Sequence, residues 1–114
     1  MSTEATSFFE QWAARMSHAK ASAPDVVKGF GALYQGVMRE GAITALEKEL
    51  VALGIGMALR CDACIYTHAD KARKAGATRE QIMETAGVAV MMQGGPTYTY
   101  LAKLVEALDA LDAR

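Results

Sequence analysis

Apolar residues recur at three- and four-residue intervals along nearly the whole chain, and no run of alternating β-branched residues interrupts them. That periodicity predicts an all-α fold. Both prolines and nearly all glycines fall between the helical patterns, which divides the chain into about six helices. The first, roughly Glu4 to Lys20, is amphipathic through Phe8, Phe9, Trp12 and Met16. Pro24 suits the first position of a second helix running through Val27, Phe30, Tyr34 and Met38 to Gly41. Thr44 and Glu47 form a capping box ahead of a third helix, whose apolar seam is Leu46, Leu50, Leu53 and Met57. The fourth helix carries both cysteines and ends near Gly76. Thr78 and Gln81 repeat the capping-box spacing before a fifth helix that closes in Gly87-Val-Ala-Val-Met-Met92. Gly94-Gly95-Pro96 then breaks the chain before a last helix from about Thr97 to Leu111. The run 87–92 is apolar on every side, so something has to cover it, and an identical subunit is the simplest cover.

Length and charge narrow the classes open to such a bundle. At 114 residues the chain, 1–114, is one domain. Its 12 basic and 13 acidic residues give a net charge of −1 with no basic block, so neither nucleic acid nor an anionic membrane surface is an expected partner. No strongly apolar stretch approaches the ~18 residues of a membrane span. Residues 1–10 carry Glu4 and no basic cluster followed by an apolar run, so no signal or transit peptide is expected. The two cysteines are too few for a secreted disulfide framework and lie close together, which points to redox or metal chemistry in a reducing compartment, the cytoplasm. Apolar residues make up 52% of the chain, on the high side, and part of that excess is expected at subunit interfaces.

The candidate chemistry lies in Cys61-Asp-Ala-Cys64-Ile-Tyr-Thr-His68. Cysteines three apart on a helix share a face and can interconvert dithiol and disulfide; His68, at i+4 from Cys64 and i+7 from Cys61, joins the same stripe. Three readings are open: two small buried hydrophobes, a zinc site, or a redox dithiol. Zinc lacks a fourth ligand, unless a distant His18 or a carboxylate such as Glu49 supplies it. Redox work needs a thiolate near neutral pH, and His68, about 6 Å along the helix from Cys64, is placed to take the proton directly or through a water. Cys61 then resolves the Cys64 adduct by closing the bridge.

Glu49 is the less obvious candidate. Its i±3 and i±4 neighbours are Ala45, Leu46, Ala52 and Leu53, so a carboxylate projects from an apolar face. A carboxylate moved toward low dielectric holds its proton more tightly, which suits a relay group; an interface salt bridge is the alternative. Glu47 is accounted for by its capping box. Lys48, Lys71, Arg73 and Lys74 read as solvated helix faces, and His18 as structural. Trp12, Phe8 and Phe9, like Met83, Met91 and Met92, read as packing, while Tyr98 and Tyr100 are pocket candidates. No flavin or nicotinamide fingerprint is present, so no cofactor and no resident metal is expected.

The order Gly41-Ala-Ile-Thr, Glu49-Leu-Val-Ala-Leu, Cys61-x-x-Cys64-x-x-x-His68, Gly76-Ala-Thr-x-Glu-Gln-Ile and Gly94-Gly95-Pro96 resembles the carboxymuconolactone decarboxylase-like family, and within it the alkylhydroperoxidase D-like branch. The resemblance covers roughly Pro24 to Leu111, leaving 1–23 as a helical extension ahead of a core at 24–111. It implies paired helices assembled as a homo-oligomer, a trimer or hexamer, and a peroxidase or disulfide-exchange activity on a small hydroperoxide or disulfide, recycled by an external dithiol reductant. By motif position Cys64 would attack, Cys61 resolve, and Glu49 and His68 serve a proton relay. The peroxidase pattern usually has a histidine immediately before the second cysteine, where this chain has Ala63. That departure weakens the case for efficient alkyl hydroperoxide reduction more than the case for disulfide chemistry. The decarboxylase branch, a lyase reading that needs no cysteine pair, ranks below the thiol one.

Overall fold

The structure, a computed structural model, describes residues 3–114. It contains the six long helices expected and one additional helical turn: α1 (Glu4–Ser22), α2 (Pro24–Met38), α3 (Ala45–Ala58), α4 (Asp62–Lys74), α5 (Arg79–Gln93), the single turn α6 (Gly95–Tyr98) and α7 (Leu101–Asp112). No strand occurs among the described residues. Both capping boxes form: the Thr44 and Thr78 side chains accept from the N–H groups of Glu47 and Gln81, whose side chains accept in return from the cap N–H. Glu47 is exposed, and the hydrogen bond from the Thr44 backbone N–H holds its carboxyl below the usual range.

The core lies between α3, α4, α5 and α7. Leu53 and Met57 of α3, Ile65 and Tyr66 of α4, Ile82 and Ala86 of α5, and Leu104 and Leu108 of α7 are all buried. α1 closes one side through its aromatic residues: the Phe8 ring stacks on Trp12 at 4.7 Å and meets Tyr66 at 5.0 Å.

α2 departs from this pattern, for it has no buried residue. Val26, Phe30, Leu33 and Val37 form an apolar stripe facing outward, with Phe30 67% exposed. The helix also stops at Met38 and not at Gly41, because Arg39 turns extended and the Lys48 ammonium, reaching over from α3, donates to the carbonyls of Val37 and Arg39 at 2.7 Å each. Lys48 thus caps α2.

Glycines do not delimit the helices as the sequence suggests. Gly29, Gly31 and Gly36 lie inside α2, Gly54 and Gly56 inside α3, and Gly87 inside α5. The last helix is likewise interrupted, since the turn α6 ends before α7 begins at Leu101; buried Thr97 ties this turn to the core through its hydroxyl and the Met57 carbonyl, 3.4 Å away. Met91 and Met92 are not packing residues of the chain itself, each being 71% exposed on the outer face of α5. Tyr98 is exposed, whereas Tyr100 packs against the core. No helix among the described residues is long and apolar enough to cross a membrane.

Candidate active site

The site is built where the end of α3 turns into α4. Arg60 follows the last turn of α3 with φ 54°, in the left-handed region. Its N–H bonds the Met57 carbonyl at 3.1 Å and the next N–H, of Cys61, bonds the Gly56 carbonyl at 3.0 Å. These two bonds define a Schellman motif. The same motif ends α4, with Gly76 at φ 104° and bonds from Gly76 to Arg73 and from Ala77 to Ala72. Glycine occupies that position without strain; arginine does so at a cost of roughly 1–2 kcal/mol.

The turn delivers Cys61 to the N-cap of α4, where its sulfur accepts the Cys64 N–H at 3.2 Å. Cys61 and Cys64 are joined by a disulfide, with Cα atoms 5.2 Å apart. Both sulfurs lie at a helix N-terminus, where orphan N–H groups favour negative charge on a reduced sulfur. α3 passes very close behind them: a Cβ placed on Gly56 would lie 2.9 Å from the Cys64 Cβ. Only glycine lets the two helices meet there.

One turn beyond Cys64, the His68 Nδ1 lies 2.8 Å from Glu49 Oε1, across from α4 to α3. Glu49 is 6% exposed. Its second oxygen, Oε2, takes a short hydrogen bond from the Tyr34 hydroxyl, reaching in from α2. An ionised carboxylate has only acceptors, so both neighbours donate, Nδ1–H from His68 and O–H from Tyr34. In the neutral ring Nε2 is then the nitrogen without a proton. Burial, with the neighbouring Glu49 carboxylate, pushes the Tyr34 phenol well above its ordinary pKa. Tyr34 also stands near His68, ring centroids 6.4 Å apart, and carries the Lys71 ammonium 4.0 Å over its ring.

A cavity of about 450 Å³ opens beside this chain of hydrogen bonds, lined by Trp12, Met16, Phe30, Tyr34, His68 and Lys71. On the other side of α4, Lys103 of α7 joins Asp62 at 3.3 Å and Glu4 at 3.1 Å, steadying the first turn of the cysteine helix. Burial works against the Lys103 charge, but the hydrogen bonds to Glu4 and Asp62 outweigh it and the ammonium is held above its usual range.

All four residues singled out in the sequence therefore lie around the α3–α4 pair: Cys61 is bonded to Cys64, and His68 to Glu49, in the same chain and not across an interface. Among the described residues, no cluster of three or more His, Cys, Asp or Glu side chains could hold a metal ion, and His18 is exposed on α1. Sequence reasoning missed Tyr34, taken for part of an apolar seam. The available signal was a hydroxyl in that seam, which demands a partner once half-buried. It also missed Gly56 and the cap role of Lys48. Of the other presumed solvated cations, Arg73 pairs with Asp112 at 2.8 Å and Lys74 with Asp70 at 3.0 Å.

A helical fold with a cysteine pair at one helix N-terminus and a histidine bonded to a buried carboxylate a turn away has known relatives. The model of the carboxymuconolactone decarboxylase family matches residues 24–107, and the chain belongs to that family. A carboxymuconolactone decarboxylase family protein of Legionella pneumophila, solved in its apo form, superposes with a TM-score of 0.87 at 32% identity, over 95% of this chain and 96% of its own. A family protein of Thermotoga maritima, for which an antioxidative role has been suggested, superposes with a TM-score of 0.79 at 31% identity, over 94% and 91% of the two chains. An uncharacterized protein of the cox locus of Paracoccus denitrificans is 38% identical over 96 residues, 84% of each chain.

Proposed function

We propose that the protein is a cysteine-dependent antioxidant oxidoreductase of a reducing compartment, the cytoplasm, cycling Cys61 and Cys64 between dithiol and disulfide. The single observation that carries the reading is the bonded Cys61–Cys64 pair at the start of α4, one turn from His68 and its ion-pair partner, the buried Glu49 of α3. In the reduced protein His68 takes the Cys64 proton, and Glu49 stabilises the imidazolium so formed. The Cys64 thiolate attacks the terminal oxygen of a hydroperoxide; an S–O bond forms, the O–O bond breaks, and the alkoxide leaves as alcohol with a proton returned through His68. Cys61 then attacks the Cys64 sulfur, forming the S–S bond and releasing the sulfenic oxygen as water. An external dithiol reduces the bridge by two exchange steps and is itself oxidised to a disulfide. With a disulfide as substrate the Cys64 thiolate instead displaces one substrate thiol to form a mixed disulfide, Cys61 displaces the second substrate thiol as it closes the bridge, and the reduction by the external dithiol is unchanged.

The apolar surface left on the single chain supports assembly into a homo-oligomer, a trimer or hexamer. The α2 stripe and the exposed Val51, Ile55, Val88, Met91 and Met92 of α3 and α5 are the surfaces to be covered. Sedimentation at micromolar concentration should find several chains per particle, and a monomer there would remove the assembly from the reading.

Steady-state consumption of an organic hydroperoxide and of a small disulfide, supplied with a dithiol donor, tests the activity. Cys64→Ser should reduce turnover to background. Activity surviving in the Cys61→Ser, Cys64→Ser double variant would instead favour a lyase, and a single stoichiometric oxidation without turnover would favour a redox sensor.

A further inference from the structure

Tyr34 stands outside the dithiol scheme, yet its hydroxyl holds one of the two oxygens of the relay carboxylate. We infer that Tyr34 is a positioning residue of the thiol relay: its hydrogen bond to Oε2 holds the Glu49 carboxylate turned toward His68. The inference rests on the redox reading above and adds a third member to it.

The physical argument starts from the burial of Glu49. A carboxylate that is 6% exposed has little water to satisfy it, so each oxygen depends on a protein donor. His68 serves Oε1 and Tyr34 serves Oε2. Donation to a carboxylate favours its charged form, and the charged form is what attracts the Nδ1 proton and makes Nε2 the basic nitrogen. With the Tyr34 donor removed, Oε2 is unsatisfied and the carboxylate is free to rotate. His68 then has a weaker and less directed partner. The phenol suits this role because its burial disfavours its own ionisation, so it donates across the whole neutral range.

The surrounding charges do not duplicate it. From α4 the groups facing Tyr34 and Glu49 are His68 and Lys71, the latter over the Tyr34 ring. α1 presents uncharged Trp12 and Met16 at the adjoining cavity. On α3 itself, Lys48 is occupied at the end of α2. On α5, which packs against α3, Arg79 is paired with Asp109 and Asp112, and Glu80 and Glu84 are exposed. Nor does Tyr34 fill the place of a histidine at position 63. Ala63 lines a separate cavity with Glu4, Phe8, Trp12 and Tyr66. The third polar member reaches the relay from another helix.

The test is the alkylation rate of reduced Cys64 between pH 5 and 9, with Cys61→Ser as the common background, comparing Tyr34→Phe, Glu49→Gln and the two combined. Tyr34→Phe should move the acid limb of the profile upward by roughly one pH unit. In the Glu49→Gln background it should change nothing, since the group it positions is gone. A Tyr34→Phe profile that overlays the parent while Glu49→Gln shifts it overturns the role of Tyr34 and leaves the relay standing. A uniform loss at every pH, adding in full to that of Glu49→Gln, overturns it in favour of plain packing. If Glu49→Gln itself matches the parent, the relay reading and the Tyr34 role fall together. Site-specific fluorotyrosine at position 34 keeps the ring and its donor and provides the measurement should Tyr34→Phe not fold. As a stronger donor it should move the acid limb downward, and no movement overturns the inference.

Discussion

α4 and α2 both contribute side chains to the candidate site, and they are held in opposite ways. α4 buries Ile65, Tyr66, Ala69 and Ala72 and is clasped by α3 and α7. α2 buries nothing, contains three glycines, and meets α3 chiefly through two polar contacts, Tyr34 on Glu49 and Lys48 on the carbonyls at its end. The cysteines and His68 are thus positioned by close packing, which is rigid. Tyr34 is positioned by hydrogen bonds on a helix whose other packing is against α1. Within one site, the groups assigned to the chemistry ride on the core, and the group that orients Glu49 rides on a helix with no buried residue.

The widest test of that contrast is a pair of truncations. Ile65→Ala in α4 should cost about 2–5 kcal/mol in denaturant unfolding, because it opens a cavity in the core. Leu33→Ala on the outer face of α2 should change the stability of the single chain by no more than about 0.5 kcal/mol. Equal costs would mean that α2 is as integral as α4. Hydrogen exchange sharpens the same point: amides of α4 should open only with global unfolding, and those of α2 by local opening, with protection that rises with protein concentration if copies of the chain cover it.

Gly56→Ala should destabilise by about 1–3 kcal/mol, since the new methyl cannot fit against Cys64 without parting α3 from α4. Calorimetry of the oxidised protein would read it, and an unchanged Tm would show that the two helices tolerate a wider spacing. Lys48→Met, which removes the cap of α2, should cost about 1 kcal/mol and speed exchange in α2 while sparing α4. Arg60→Gly acts in the opposite direction. It relaxes the left-handed residue before Cys61 and should stabilise by roughly 0.5–1 kcal/mol, bringing this turn to the condition already met at Gly76.

The smallest effect is confined to alkaline pH. Burial raises the pKa of both Tyr34 on α2 and Tyr66 on α4; Tyr66 is 1% exposed, and its hydroxyl has no hydrogen-bond partner among the described residues. Lys103 is raised as well, by its carboxylate partners. Above pH ~10 the unfolded chain releases these protons before the folded one does, so it binds fewer and stability falls as pH rises; below that the three groups contribute no slope. Tyr34→Phe and Tyr66→Phe should each flatten the decline in Tm above pH 10. A decline unchanged in both would assign it to other groups.

Much of the scaffold was legible in the chain because its signals are local. The six long helices followed from apolar spacing, and the two capping boxes from Thr and Glu or Gln three residues apart. Local order also failed at definite places. Gly56 falls inside α3, as a seam reaching Met57 implies, but the reason for a glycine there, the space that Cys64 takes up from another helix, is not local. The end of α2 was set by Lys48 on α3, and the break between α6 and α7 by the tie from Thr97 to Met57; neither lies within reach of a local pattern.

The same division runs through the site. Sequence by itself determined the dithiol spacing, the place of His68 a turn beyond Cys64, and the anomaly of a carboxylate on an apolar face, since each depends only on the rise and periodicity of one helix. Tertiary structure alone decided that Glu49 meets His68 within one chain, that Tyr34 completes the buried carboxylate, and that Arg60 is held left-handed before Cys61. Those are contacts between helices, chosen by which faces the core draws together, and no periodicity within a single helix encodes them.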